Sequence, residues 1–253
     1  MFPCWESFRT PVAIPAYLSR KPVNMIQKTL AADKSEKSVK SSSVSQMGND
    51  RIDAILLRLD RIRSENSLST IVIGIAACEP NTGVSTIAGC LAVRAAEMQF
   101  GNILLVDGNF ARARQHKNFK SKAKFGLADV LYRGTPVEEA IKETSVSGLS
   151  LMTAGNAVNP GGVNPDTANG LMHELRMSHQ VIIFDLPPVR NNSQSFLLTK
   201  LADGVVIVVD ASKTGRNLAR RAMSLLNDWD VEVYGSILNR ARRTLPKWID
   251  RWL

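Results

Sequence analysis

From residue 70 onward the chain repeats one rhythm. A short run of Val, Ile and Leu is followed by a loop, then by apolar residues three or four apart. The apolar runs predict strands at Thr70–Ala76, Asn102–Val106, Leu149–Thr153, Val181–Phe184, Gly204–Val209 and Val231–Leu238. They do not alternate with polar residues, as expected of parallel strands covered on both faces. The helical spacing predicts helices at Val84–Met98, Leu127–Tyr132, Val137–Lys142, Asp166–Met177 and Thr214–Asn227. Strand and helix in alternation specify a doubly wound α/β domain with a mostly parallel sheet.

The pattern changes at both ends. Residues 1–48 read as a largely disordered, flexible extension. The stretch Asp33–Ser45 is rich in Ser and Lys and nearly devoid of large apolar groups, so it cannot bury enough surface to order itself. A helix is expected to start at Asn49 or Asp50, with Ile52, Ile55, Leu56, Leu59 and Ile62 on one face. Residues 49–240 then form the single domain. The tail, 241–253, places Leu245, Trp248, Ile249, Trp252 and Leu253 on one helical stripe among Arg242, Arg243, Lys247 and Arg251. Tryptophan with basic residues suits an anionic membrane surface, and the same stripe would equally dock on its own domain.

Charge sharpens the choice of partner. The 253 residues carry a formal net charge of +9, which favours an anionic partner: membrane lipid, nucleic acid or an acidic protein. No apolar run approaches the roughly 18 residues that cross a bilayer, and no basic-then-apolar leader opens the chain, so a cytoplasmic location is expected. Cys4, Cys78 and Cys90 form no CxxC pair; two of them sit in apolar or small-residue surroundings and read as buried structural thiols, which fits a reducing compartment.

Chemistry in this architecture lies beyond the carboxyl ends of the strands. After the first strand comes Cys78-Glu79-Pro80-Asn81-Thr82-Gly83-Val84-Ser85-Thr86. A phosphate cradle needs converging backbone N–H groups, a Gly where the chain approaches closely, and a helix N-terminus behind. Gly83 and the following helix meet the last two needs, and Ser85 or Thr86 offers a hydroxyl to Mg²⁺. Asp107 and Asp185 each follow a four-residue apolar run. There an Asp can hold Mg²⁺ or polarise a hydroxyl, or simply cap the next turn; two of them downstream of such a loop favour the metal reading. Asn239 ends the last strand, where it can pair with a base edge or close a turn.

Taken in order, the loop at 79–86, ILLVDGN at 103–109, GLADVL at 126–131, LMTAGNAVNP at 151–160, VIIFDLPPV at 181–189, LADGVVIVVDASKT at 201–214 and GSILNR at 235–240 resemble the bacterial tyrosine kinases (BY-kinases) of capsule and exopolysaccharide synthesis. These kinases are relatives of the ParA/MinD-type P-loop ATPases. The resemblance spans roughly residues 71–240. It implies a P-loop NTPase fold and ATP or ADP with Mg²⁺ as ligand. It places Gly83, Val84, Ser85 and Thr86 in the Walker A loop, Asp107 in Walker A′, Asp185 in Walker B and Asn239 against adenine. Catalysis would then fall to Asp107 and Asp185, and the metal to Ser85, Asp107 and Asp185. The implied partner is a membrane polysaccharide co-polymerase of the chain-length-determinant type, with self-association of the chain as a further expectation.

The chain departs from that pattern. Val84 stands where the family has its phosphate-binding lysine, and no lysine occurs between Lys40 and Lys117. Asn109 replaces the second Asp of Walker A′. No tyrosine follows Asn239; the chain's tyrosines are Tyr17, Tyr132 and Tyr234. A lysine–phosphate contact contributes about 1.5–3 kcal/mol and also steadies the transition state. The expectation is therefore a regulatory pseudo-kinase. The alternatives are an active tyrosine kinase or ATPase using a surrogate cation such as Arg112 or Arg114, and a ParA/MinD-type positioning protein. The missing signature lysine argues against the last, and with it against nucleic acid as a partner.

Overall fold

The computed structural model describes residues 14–16, 42–156, 164–190 and 192–241. In chain order the elements are β1 (Ile14–Ala16), α1 (Ser42–Glu65), β2 (Ile71–Ala77), α2 (Val84–Glu97), β3 (Ile103–Asp107), a 3₁₀ turn (Phe110–Arg112) and α3 (Gln115–Asn118). There follow α4 (Leu127–Arg133), α5 (Val137–Ala140), β4 (Ile141–Glu143), β5 (Leu149–Met152), α6 (Pro165–Ser178), β6 (Val181–Asp185), α7 (Ser193–Lys200), β7 (Gly204–Asp210), α8 (Arg216–Asp228) and β8 (Val233–Asn239). Among the described residues the strands form one sheet in the order β1-β8-β7-β2-β6-β3-β5-β4. Every neighbouring pair is parallel except β4 with β5.

Successive side chains of a strand point to opposite faces, and here both faces are covered. Val72, Leu104, Val106, Ile182, Phe184, Val205 and Ile207 join a core with α4, α6, α7 and α8. Ile71, Ile73, Ile75, Ile103, Leu105, Ile183, Val206 and Val208 join a second core with α1 and α2. The unbroken apolar runs are the direct signature of this sandwiching.

Several details differ from the sequence expectation; one is β1, a three-residue strand within the extension read as disordered, which pairs with β8. The helix expected from Asn49 or Asp50 begins at Ser42. The helix expected over 137–142 stops at Ala140, because Ile141 turns extended (φ −95°, ψ 135°) and pairs with Met152. A three-residue strand completes the sheet edge there, so tertiary pairing outweighs local helical spacing. Helix α7 has no clear apolar period; Asn192 caps it by accepting from Ser195 N–H at 2.8 Å. The extension beyond residues 14–16, the end of the 151–160 stretch and the tail from 242 lie outside the described residues.

The GLADVL and TAGN segments meet backbone to backbone. Leu127 and Ala128 N–H donate to the carbonyls of Thr153 and Ala154 at 2.8 and 3.0 Å. The buried Asp129 carboxylate gathers the N–H groups of Gly126 and Asn156 at 3.0 and 3.1 Å. A methyl group on Gly126 would overlap Thr153 O and Gly155 N, which cannot give way as a side-chain tip can. Gly126→Ala should therefore cost about 3 kcal/mol of stability in urea denaturation. Gly170→Ala, in α6 with open space around the added methyl, should gain about 1 kcal/mol. Equal effects of the two would refute the close approach.

Candidate functional site

The first loop folds as a turn that winds directly into α2. Asn81 (φ 63°) and Gly83 (φ 98°) both take left-handed backbone, and Gly83 is the residue before the first helical turn. Left-handed geometry favours glycine, and space demands it too: an added Cβ would collide with the Asn239 amide. The loop encloses a cleft of about 240 Å³ with Gly83, Val84, Ser85 and Thr86 in its wall. The opening N–H groups of α2 have no intrahelical partner and point outward at this end. The cleft is thus shaped for an anion.

The floor is a pair of acids. Asp107 and Asp185 end adjacent strands in direct register, and both are fully buried. The Asp107 carboxylate is saturated by backbone N–H groups: Asn109 donates to Oδ1 at 3.2 Å, and Arg114 and Gln115 donate to Oδ2 at 2.9 Å each. Burial raises its pKa, and those three N–H groups pull it back. Asp185 is different. Its Oδ2 accepts from Gln115 Nε2 at 2.7 Å, whereas Oδ1 faces the Ser85 side without a partner at hydrogen-bond geometry. Burial, and then the charge of Asp107, push its pKa up to about 7; the Ser85 hydroxyl and the Gln115 amide act the other way. A buried carboxylate oxygen without a donor, under a loop hydroxyl, suits a metal-bound water or a cation.

Asn239 sits beneath the loop rather than in the open cleft. Its Nδ2 donates to Thr82 O at 2.6 Å, and its Oδ1 accepts from Arg240 N–H at 2.9 Å. Here it braces the cradle. The end of β2, which feeds the loop, is tied to the segment after β6 by Leu186 and Val189 N–H, which donate to the carbonyls of Ile75 and Ala77.

Several contributors carry no clear mark in the sequence or share one with better-known positions. Gln115 is fully buried and spans from the Ser85 carbonyl (2.8 Å) to Asp185 (2.7 Å). Nothing in the sequence marks it among the basic residues Arg112, Arg114, Lys117 and Lys120. Asp210 ends β7 after an apolar run, the same signal that identified Asp107 and Asp185. It is buried and accepts from Arg240 Nη1 at 2.6 Å. Arg112, Arg114 and Arg240 all line the cleft. The lysines downstream, Lys117, Lys120, Lys122 and Lys124, are not among its lining residues.

Comparison with known proteins bears on the fold and on the homologues. No family model matches the chain. The tyrosine-protein kinase YwqD of Bacillus subtilis is 26% identical over 195 residues, covering 76% of this chain and 81% of its own. The putative tyrosine-protein kinase CapB of Staphylococcus aureus is 26% identical over 179 residues, covering 70% and 77%. The homologues of this chain are bacterial tyrosine-protein kinases. Among solved structures, the BceF tyrosine kinase domain superposes with a TM-score of 0.68 at 20% identity, over 90% of this chain and 91% of its own. The chimerical protein CapA2B2 gives 0.66 at 24% identity, over 81% and 88%. MinD from Pyrococcus horikoshii, solved with Mg-ADP, gives 0.55 at 19% identity, over 72% and 76%. The fold is that of BY-kinase domains and MinD-type P-loop ATPases. In this chain the cradle, the paired acids and the glycine turn stand together, while the loop at 78–86 itself carries no cation.

Proposed function

We propose that this chain is a regulatory pseudo-kinase of the BY-kinase type. It binds a magnesium nucleotide and acts in capsule or exopolysaccharide synthesis beside a membrane polysaccharide co-polymerase, at the cytoplasmic face. One observation carries the reading: a correctly wound anion loop over a buried acid pair, with valine at the lysine position.

The residues present fit such a ligand in shape and in part in chemistry. The amides opening α2 would bind phosphate oxygens, while Ser85 and Asp185 Oδ1 would hold the metal or its water. When bound, magnesium nucleotide supplies the phosphate charge that these donors match and the cation that the orphaned oxygen lacks. Asp107, saturated by backbone N–H groups, orients the 109–115 segment and sets the charge felt by Asp185. Fast transfer finds little support. Asn109 offers no second carboxylate, and Val84 offers no charge to a developing transition state.

The acceptors point the same way. Tyr234 is buried beneath Gly204, with its pKa pushed up to about 12 chiefly by burial, and Tyr132 is half-buried against Phe110. Tyr17 and the membrane-type tail lie outside the described residues, and no helix among the described residues is long and apolar enough to cross a membrane.

The test is to incubate the whole purified chain with magnesium ATP. Phosphotyrosine is read by mass spectrometry, and MgADP binding by calorimetry. Binding without phosphotyrosine is the expected result. Transfer at the roughly 1–100 s⁻¹ of ordinary kinases would overturn the proposal.

A further inference from the structure

Two arginines from distant parts of the chain converge on the tip of the anion loop. Arg112, in the 3₁₀ turn after β3, donates from Nη1 to Asn81 Oδ1 at 3.0 Å. Arg240, just past β8, donates from Nη1 to Asn81 O at 2.8 Å. Asn81 is therefore held between two guanidinium groups, and its left-handed backbone turns its carbonyl and its side chain toward them. Both arginines line the same cleft as Gly83, Ser85 and Thr86.

Their charges are disposed differently. Arg240 is anchored: the buried Asp210 carboxylate accepts from it at 2.6 Å and is itself fixed by Ser212 Oγ at 2.6 Å and Ser212 N–H at 2.9 Å. That tether holds the guanidinium at the cleft mouth and reduces the entropy lost on capturing a ligand. The Arg112 side chain is exposed and hydrogen-bonds the neutral amide of Asn81, with no ion pair to an acid among the described residues. No carboxylate among the described residues lies within ion-pair distance of it, and Glu79, which lines the same cleft, accepts from Thr214 Oγ1 instead. A guanidinium carries five donors in a flat fork, so contact with Asn81 leaves donors for phosphate oxygens.

We propose that Arg112 and Arg240 together replace the missing loop lysine as the cationic side of a polyphosphate site. The ligand class is a nucleoside di- or triphosphate with Mg²⁺, its terminal phosphate lying against the α2 amides while the cationic charge reaches it from the rim. Asp185 Oδ1, buried and without a donor beneath the same loop, is the independent sign that the cleft receives a polar ligand. This inference rests on the nucleotide-binding reading above and names the residues that give it affinity. Because the cations come from the loops after β3 and β8, binding would depend on those loops keeping their positions against the Asn81 turn.

Calorimetry on the full chain with MgADP, MgATP and magnesium pyrophosphate tests it. Arg112→Gln and Arg240→Gln should each weaken binding at least about tenfold, and the double variant about 100-fold, with a shallower salt dependence. Arg240→Gln leaves Asp210 buried without its partner, so Asp210→Asn/Arg240→Gln supplies a variant without that unpaired charge. It should lose the same affinity while melting near the parent temperature. Arg112→Lys should restore part of the loss. Wild-type binding that persists within twofold in the double variant would overturn the arginine assignment and leave the nucleotide reading standing. Absence of binding to all three ligands by the wild type would overturn both. Equal affinity for pyrophosphate and MgADP would assign recognition to the phosphates alone; tighter MgADP would add the nucleoside, and either supports the arginine assignment if the variants lose it.

Discussion

Replacing Asp185 with asparagine should stabilise the ligand-free protein at pH 8 and flatten its stability between pH 4 and 7. The carboxyl is fully buried with one oxygen lacking a donor, and its pKa stands at about 7 in the folded state. In the unfolded chain an aspartate titrates near 4. Below about pH 4 both states hold the proton and burial of this group costs little. Between there and about 7 the unfolded chain has released its proton and the folded chain keeps it, so stability falls as pH rises. Above about 7 the folded state carries a buried, poorly solvated charge beside Asp107. The full span corresponds to a loss on the order of 4 kcal/mol. Asparagine can still accept from Gln115 and removes the charge. Urea denaturation at pH 5 and pH 8 should show the variant ahead of the parent mainly at the higher pH. A constant difference across pH would refute the buried-charge account. The same substitution should abolish any Mg²⁺ dependence of nucleotide binding, the usual exchange of stability against function at a site.

The second large effect is a gain. Val84→Lys should raise affinity for MgADP about 10- to 150-fold, the equivalent of one charge-assisted contact of about 1.5–3 kcal/mol. Val84 is the first residue of α2, lines the cleft and is only half-buried, so a lysine stem can follow the wall and carry its ammonium to the anion. Its partial packing against the core beside α1 and α2 implies a stability cost of about 1 kcal/mol. Calorimetry with parent and variant at one salt concentration reads the effect directly. Unchanged affinity would mean that phosphate does not reach the start of α2. The gain should also be smaller than additive with Arg112 and Arg240 present, since all three would serve one anion.

Asp185 is legible from the amino-acid order, because an acid after an apolar run in a parallel sheet falls at the ligand edge. Asp210 carries the same mark and differs in consequence. Burial would raise its pKa, yet Ser212 and Arg240 outweigh burial and hold it below the usual carboxylate range, whereas Asp185 is left open. Gln115 carries no mark, because its role comes from an amide that reaches a strand 70 positions away in the chain.

Sequence alone determined the layered sheet, because strands buried on both faces must be apolar at every position. It also placed Gly83, Asp107 and Asp185 at one edge, because parallel strands put their carboxyl ends together. It showed valine at the position where the resemblance implies a lysine. Only the tertiary structure decided which acid is satisfied and which is open, since that depends on where the N–H groups of 109–115 and the Gln115 amide fall. It alone brought Arg240 to a loop 159 positions earlier. Apolar periodicity records which face of an element is buried, and burial acts on each element by itself. Pairing of polar groups across loops depends on distances of about 3 Å between chain segments, and no local pattern encodes that.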